Sequence, residues 1–364
     1  MATTKLMVAM QNSVLTFESS NDMWKTHESL RGTSPQCISF DPSNPSRAYC
    51  GTFGNGLYKT DDGGQTWASI EMKEKEDDSS GSSTDISGTA HVMSVSTSHH
   101  LNKVKNKFNA VYVGTEPTAF YRSDDGGESW NKMSALNTLM SSSSWSFPPR
   151  PWTSHVRWIE PDKTNANYVF AAIEAGALVQ SHDGGKTWID KVEGGPYDTH
   201  TLATHKNIPK RLYSSAGDGY FESYDYGESW LRPMEGLHHH YLAGLAVDSG
   251  DSNTIIVSAS ESAWHAHRID DANSHVYRSS AENVYDGKGE REWKQVTKGF
   301  PESHATIISV LAANPKIVGE FYAVNNRGIF YSTDSGVSWK TLDGVEWSKD
   351  YLLQHPRALT VSNG

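Results

Sequence analysis

Ser123-Asp124-Asp125-Gly126-Gly127-Glu128-Ser129-Trp130 is one of five near-copies of a single eight-residue box. The others are Thr60–Trp67, Ser181–Trp188, Ser223–Trp230 and Ser332–Trp339, and all fit Ser/Thr-x-Asp-x-Gly-x-Ser/Thr-Trp. One local solution repeated at intervals along a chain means a repeat architecture. The Asp and the hydroxyl side chains are suited to hydrogen-bonding backbone in a turn, and the glycine to a positive φ. The Trp is large enough to pack between neighbouring repeats. Five copies spread over successive repeats do not converge on one small ligand, so the box is read as structure.

Each box follows an alternating apolar segment, such as Ala119-Phe120-Tyr121-Arg122, and a second strand-like run lies upstream, such as Val111-Tyr112-Val113-Gly114-Thr115. A third run precedes that one, often closed by Asp-Pro or Asn-Pro, and the box Trp opens a fourth. Four short antiparallel strands per repeat, named a to d outward, describe a propeller blade. Five blades carry the box. A sixth spans His240 to Gly299, its box decayed around Tyr285-Asp286-Gly287 with Trp293 retained. The N-terminal run, Lys5–Met10, Ser13–Phe17 and Met23–His27, provides only b, c and d, and Ala358–Ser362 provides the missing a strand. The expectation is an all-β, seven-bladed β-propeller of four-stranded antiparallel blades over residues 1–364, closed by the C-terminal strand joining the N-terminal blade.

The chain of 364 residues has a net charge of −11, which argues against a phosphate-backbone binder, so no nucleic-acid partner is expected. No long apolar run is present, so neither a signal peptide nor a membrane span is read. Folding the first hairpin about Ser43–Arg47 sets Cys50 opposite Phe40, three residues from Cys37. Two free thiols follow, and with them a cytoplasmic location.

Three inserts stand out. Residues 73–90 are polar. Residues 133–154 contain Trp145-Ser146-Phe147-Pro148-Pro149-Arg150-Pro151-Trp152, too aromatic for a spacer and read as a lid or rim. Residues 261–274 form a long b–c loop. All three fall on the face opposite the boxes. On that face histidine recurs at or just before the innermost strand, as His91, His155, His200, His240, His304 and His355, where blade 1 has Gln36-Cys37. Innermost-strand starts surround the mouth of a propeller's channel, so these rings are placed to approach one another. Acids follow strand b at matching positions: Glu116, Glu174, Asp218 and Glu261. Arg157 lies two residues after His155 and Arg357 two after His355, on the same strand face.

Three readings of this set stand side by side. His91, His155, His200, His240 and His304 supply ligands for a divalent or redox metal, with a carboxylate orienting them. Alternatively His155, Arg157, Glu116, Glu174, Asp218 and Glu261 form a metal-free polar pocket, working by general acid–base chemistry or binding an anionic or sugar-like ligand. In the third reading they are solvated rim residues without a task.

The boxes resemble the Asp-box, or BNR, repeats of the sialidase-like propeller superfamily, over nearly the whole chain. Propellers of this kind include glycosidases, photosystem assembly factors and receptor domains, and the resemblance is strongest to prokaryotic proteins known only as BNR-repeat glycosyl hydrolases. Fold alone does not carry activity across. The sialidase Arg-Ile-Pro motif is absent, no Arg precedes Arg31, and seven blades are counted where sialidases have six, so a true sialidase is not expected. The resemblance implies a small-molecule or carbohydrate-directed enzyme, hydrolase-like or a metal-dependent lyase or oxidoreductase. The alternative is a non-catalytic binding or assembly propeller that meets a protein partner through its rim loops.

Overall fold

The protein is described by a computed structural model covering residues 3–20, 23–72, 91–101, 108–281 and 291–363. The insert at 73–90 and the decayed box at Tyr285-Asp286-Gly287 lie outside the described residues. Seven antiparallel sheets take up the strands, and they are the seven blades of a β-propeller. Five sheets have four strands. In blades 3 and 4 the outermost strand is reduced to a single bridge, Gln180 to Ile189 and Glu222 to Leu231. No helix among the described residues is long and apolar enough to cross a membrane.

The chain divides into two compact units. One comprises Asn12–Val14 and Glu28–Lys191 and holds blades 1 to 3; the other comprises Met1–Gln11, Leu15–His27 and Val192–Gly364 and holds blades 4 to 7. In the second unit the strand Ala358–Asn363 lies antiparallel to Thr4–Ala9, with Ala358 opposite Ala9 and Asn363 opposite Thr4. Leu6 and Val8 of this pair are wholly buried, packed with Tyr322 and Val324 of blade 6. The far ends of the sequence therefore share one blade.

The box is a backbone-capping device in all five copies. In blade 2 the Ser123 hydroxyl accepts from the Gly127 N–H at 2.9 Å, and Asp125 accepts from the Ser129 N–H at 3.0 Å and from the Ser129 hydroxyl. The Trp130 indole N–H then donates to the Gly127 carbonyl at 3.2 Å. Gly127 sits at φ +96°, where a Cβ is disfavoured. The residue before it is left-handed too: Gly126 at +77°, but Tyr226 at +63° in blade 4 and Ser335 at +60° in blade 6.

Trp130, Trp188, Trp293 and Trp339 pack their blades on the preceding ones. Trp188 meets Phe120 of blade 2 edge-on at 4.9 Å, and Trp293 meets Tyr220 of blade 4 at 4.8 Å. Such pairs add roughly 0.5–1.5 kcal/mol beyond the area they bury. Trp339 is buried with Ile256 and Val276 of blade 5.

The first hairpin departs from expectation. Cys50 stands opposite Ile38, and Cys37 opposite Gly51, because the turn is tight between Asp41 and Asn44 and the register shifts between Phe40 and Asp41. Both thiols are free and buried. Burial pushes Cys37 up to about 12, so it is an inert, neutral packing group.

Candidate functional site

In the unit holding blades 1 to 3, the b–c ends of blades 2 and 3 bring five charged side chains into one chain of contacts. Glu116 ends the strand Asn109–Glu116 and His155 immediately precedes Val156–Pro161. Arg150 comes from the insert between those blades and holds Glu116 with two parallel bonds, Nε to Oε1 at 2.7 Å and a terminal nitrogen to Oε2 at 2.6 Å. The other side of the Glu116 carboxylate faces His155 Nδ1 at 3.3 Å. His155 Nε2 meets Glu174 Oε2 at 2.7 Å, and Arg157 Nε lies 3.5 Å from the same oxygen. The order is cation, anion, imidazole, anion, cation.

Burial grades this chain. His155 is 1% exposed and Glu116 6%, while the side chains of Glu174, Arg157 and Arg150 reach the surface. Burial alone would raise Glu116, but hydrogen bonds from His155 and Arg150 and the charges behind them outweigh it and bring the carboxyl down to about 2. Burial alone would lower His155, and its two carboxylate partners override that and raise it. The inner three groups thus form a clamp, an imidazole held between two carboxylates, which bind its proton more tightly than an ordinary histidine's. Glu174 is the more exposed carboxylate of the clamp, its side chain 19% accessible against 5% for Glu116.

Aromatic rings wall the clamp. Phe147 stands edge-on to His155 at 4.7 Å, and the Arg150 guanidinium lies 4.8 Å from the Phe147 ring and 5.3 Å from the Phe53 ring. Phe53 in turn stacks flat on His91 at 3.7 Å. The insert is held in shape by its own backbone: the Phe147 N–H donates to the Thr153 carbonyl at 2.8 Å, and the Arg150 N–H to the Phe147 carbonyl at 2.8 Å. Trp145 of the insert is buried in the core of blades 2 and 3, whereas Trp152 is 80% exposed.

A bulge aims these residues. The pairing of the innermost strand of blade 3 jumps between Val156 and Trp158, leaving Arg157 as the extra residue, and blade 2 has the same irregularity between Val92 and Ser94. Bulges redirect side chains at the ends of strands. Here the bulge lets His155 and Arg157 reach one carboxylate.

The remaining sequence candidates belong to the other unit and have partners of their own. His200 Nδ1 is 2.6 Å from the Leu242 carbonyl, and its Nε2 is 3.5 Å from Asp198. Asp218 accepts the Asp198 N–H at 3.3 Å, as a turn cap does. Glu261 is exposed, 3.7 Å from His265 on the short helix Ala263–His267. His240 Nε2 faces the Leu237 carbonyl at 2.8 Å. His304 stands in a loop well ahead of the strand Val310–Ala313, because the backbone of Ile307 and Ile308 is taken up by Asn326 and Ala266. Sequence reasoning missed Arg150, Phe147 and Phe53 as parts of the cluster. The signal for Arg150 was its place among prolines in a segment too aromatic to be a spacer.

A family model for the BNR/Asp-box repeat matches residues 121–132, the blade 2 box and its flanks. The chain is a β-propeller with a BNR/Asp-box repeat matched at blade 2. It is similar to an oligoxyloglucan-reducing end-specific xyloglucanase of Emericella nidulans, 25% identical over 278 residues, which are 67% of this chain and 32% of that protein. The chain thus spans about a third of that curated relative. Among solved structures, an ancestral GH74 enzyme superposes with a TM-score of 0.57 at 14% identity, over 90% of this chain and 38% of that one. YCF48 from Cyanidioschyzon merolae superposes with 0.54 at 12% identity, over 86% of this chain and 87% of that one. YCF48 bound to D1 peptide gives 0.54 at 17%, over 85% and 81%.

Proposed function

We propose that this propeller is a carbohydrate-directed enzyme whose substrate is met at the Glu174 end of the clamp. The observation that carries the reading is the buried His155 held between Glu116 and Glu174. Arg150 and Glu116 fix the imidazole; the imidazole and Arg157 fix Glu174. A carboxylate oriented in this way accepts a hydrogen bond from a sugar hydroxyl, or takes the proton of a water that attacks an anomeric carbon as the glycosidic C–O bond breaks and the leaving oxygen takes a proton from solvent. Glu116, shut in and doubly bound by Arg150, is a positioning residue. The likeness to the xyloglucanase of Emericella nidulans supports a neutral glucan as the substrate class.

The test is reducing-end release from xyloglucan and a panel of neutral β-glucans. The expected result is hydrolysis that Glu174→Gln lowers at least a hundredfold at a temperature where the variant, which loses a charged partner of His155, is still fully folded. A wild-type chain inactive on every member and unable to bind any would overturn the reading.

A second reading, a non-catalytic assembly module, draws on the match in size and fold to YCF48 and on the exposed Trp152. It has a protein partner docking on the Trp145–Trp152 segment. Loss of partner capture in Trp152→Ala, without any change in glycan binding, would favour it. A cytoplasmic location, proposed on the two free thiols, is checked by fractionating cells that carry the native gene.

A further inference from the structure

The long b–c loop of blade 5 and the segment entering the closing strand meet at two histidines. His267 ends the short helix Ala263–His267, and His355 stands three residues before the strand Ala358–Asn363. Both belong to the unit holding blades 4 to 7. Though 88 residues apart in sequence, their rings face each other, with His267 Nδ1 2.6 Å from His355 Nε2. His267 is exposed and His355 half-buried, so the contact is open to solvent.

Backbone contacts hold both rings in place. Ala266, beside His267, is wholly buried, and its carbonyl accepts the Ile308 N–H at 2.9 Å. On the other side the His355 N–H donates to Gln11 Oε1 at 3.3 Å, and the Arg357 N–H to the Ala9 carbonyl at 2.7 Å.

The outward nitrogens have partners of a definite kind. His355 Nδ1 is 2.8 Å from the Pro356 carbonyl, which can only accept. That nitrogen therefore carries the proton of the neutral ring, and Nε2 offers a lone pair. His267 Nε2 is 2.9 Å from the Tyr241 hydroxyl, which can accept a hydrogen bond as well as donate one. With Tyr241 accepting, the His267 proton sits on Nε2 and Nδ1 offers its lone pair too. Imidazoles that donate outward to an oxygen and aim a lone pair inward are arranged as metal ligands are.

Distance and donor type narrow the ion. Two nitrogens about 2.0–2.1 Å from one ion stand roughly 3.3 Å apart in a tetrahedral shell, so the rings need to open by less than ~1 Å. Imidazole suits copper, nickel and zinc, whereas Mg²⁺ prefers oxygen ligands. Among the described residues no third His, Cys, Asp or Glu ligand atom lies within 4.8 Å of both nitrogens, which leaves the other positions to water. We infer that His267 Nδ1 and His355 Nε2 form a surface site for a divalent copper or zinc ion. The pair is not among the ligand sets that the repeat pattern offers, and the inference does not rest on Glu174.

The experiment titrates the untagged full chain, freed of metal with a chelator, with Zn²⁺, Cu²⁺ and, as hard-ion control, Mg²⁺. Calorimetry should show Zn²⁺ and Cu²⁺ binding without Mg²⁺ binding, and paramagnetic resonance at equimolar Cu²⁺ should show a pair of nitrogen ligands. Nitrogen-15 spectra of the Zn²⁺-loaded chain should place the His267 proton on Nε2. His267→Ala and His355→Ala should each weaken Zn²⁺ binding tenfold or more; His238→Ala, at an exposed histidine outside the pair, should leave it unchanged. Glutamine replaces alanine at either position if the alanine variant melts early. The inference is overturned by absence of Zn²⁺ and Cu²⁺ binding, by Mg²⁺ binding as tight as Zn²⁺, or by a His267 proton that stays on Nδ1. It is equally overturned by affinity that is unchanged in both folded variants or that falls with His238 instead.

Discussion

Both ring nitrogens of His155 face a carboxylate. Nδ1 lies 3.3 Å from Glu116 but makes no well-aligned hydrogen bond, and Nε2 lies 2.7 Å from Glu174, so a metal at Nε2 would have to displace Glu174. The cluster also makes a definite statement about pH. Glu116 titrates near 2 in the folded chain, below its ordinary value, so its stabilisation is present above the ordinary carboxylate range and is lost as pH falls toward 2. His155 is raised, so its stabilisation is full below the ordinary imidazole value and fades as pH climbs through the folded one. The two windows overlap at mildly acidic pH. Melting curves of wild type and Glu116→Gln should differ most at about pH 5–6, by on the order of 3 kcal/mol; the difference should shrink as pH falls toward 3 and, above the folded imidazole value, drop to the share that Arg150 holds. A difference that is flat with pH would mean that the imidazole is not ionised in the clamp. The residue types of this cluster were legible from the repeat, since Glu116, His155, Glu174 and Arg157 recur at equivalent blade positions. The clamp was not, because Arg150 stands in an insert with no repeat register and a bulge at Arg157 sets the aim.

Strands and turns were the legible level. Ala358–Asn363 and Thr4–Ala9 stand within a residue of the Ala358–Ser362 and Lys5–Met10 that the sequence puts there. The hairpin register of Cys37 and Cys50 was not legible, because the shift at Phe40–Asp41 leaves the apolar pattern intact. The box invites two substitutions with opposite signs. Asp125→Ala removes the acceptor of the Ser129 N–H and hydroxyl and the partner of Ser123, and should cost roughly 1–3 kcal/mol. Ser335 occupies a left-handed position that Gly63, Gly126 and Gly184 fill in other blades. Ser335→Gly should therefore stabilise by about 0.5–1 kcal/mol, relief of a Cβ penalty outweighing the added freedom of the unfolded chain. Denaturant midpoints of the two variants check both signs. A destabilised Ser335→Gly would mean that the serine is held by something other than its backbone.

At the scale of the molecule, the shared blade is what the two ends of the sequence do for each other. Strand Thr4–Ala9 has a full ladder with Ala358–Asn363, and the Arg357 N–H extends it to the Ala9 carbonyl at 2.7 Å. Without the C-terminal strand, Thr4–Ala9 becomes an open edge flanked by buried apolar residues, a template for pairing with another chain. The loss is not confined to one sheet. Leu359 and Val361 pack against the core that joins Leu6 and Val8 to Tyr322 and Ile329 of blade 6, so removing the strand strips cover from two blades. Deleting residues 358–364 should thus cost on the order of 5 kcal/mol, from six ladder positions and the uncovered apolar groups, and should turn a monomer peak into concentration-dependent oligomers. Adding the peptide Ala358–Asn363 in trans should partly restore melting temperature, whereas a version with Leu359 and Val361 changed to Ser should not. Unchanged melting in the truncated chain would show that the ladder with Thr4–Ala9 is dispensable, and the stability of the blade would then have to come from its other three strands.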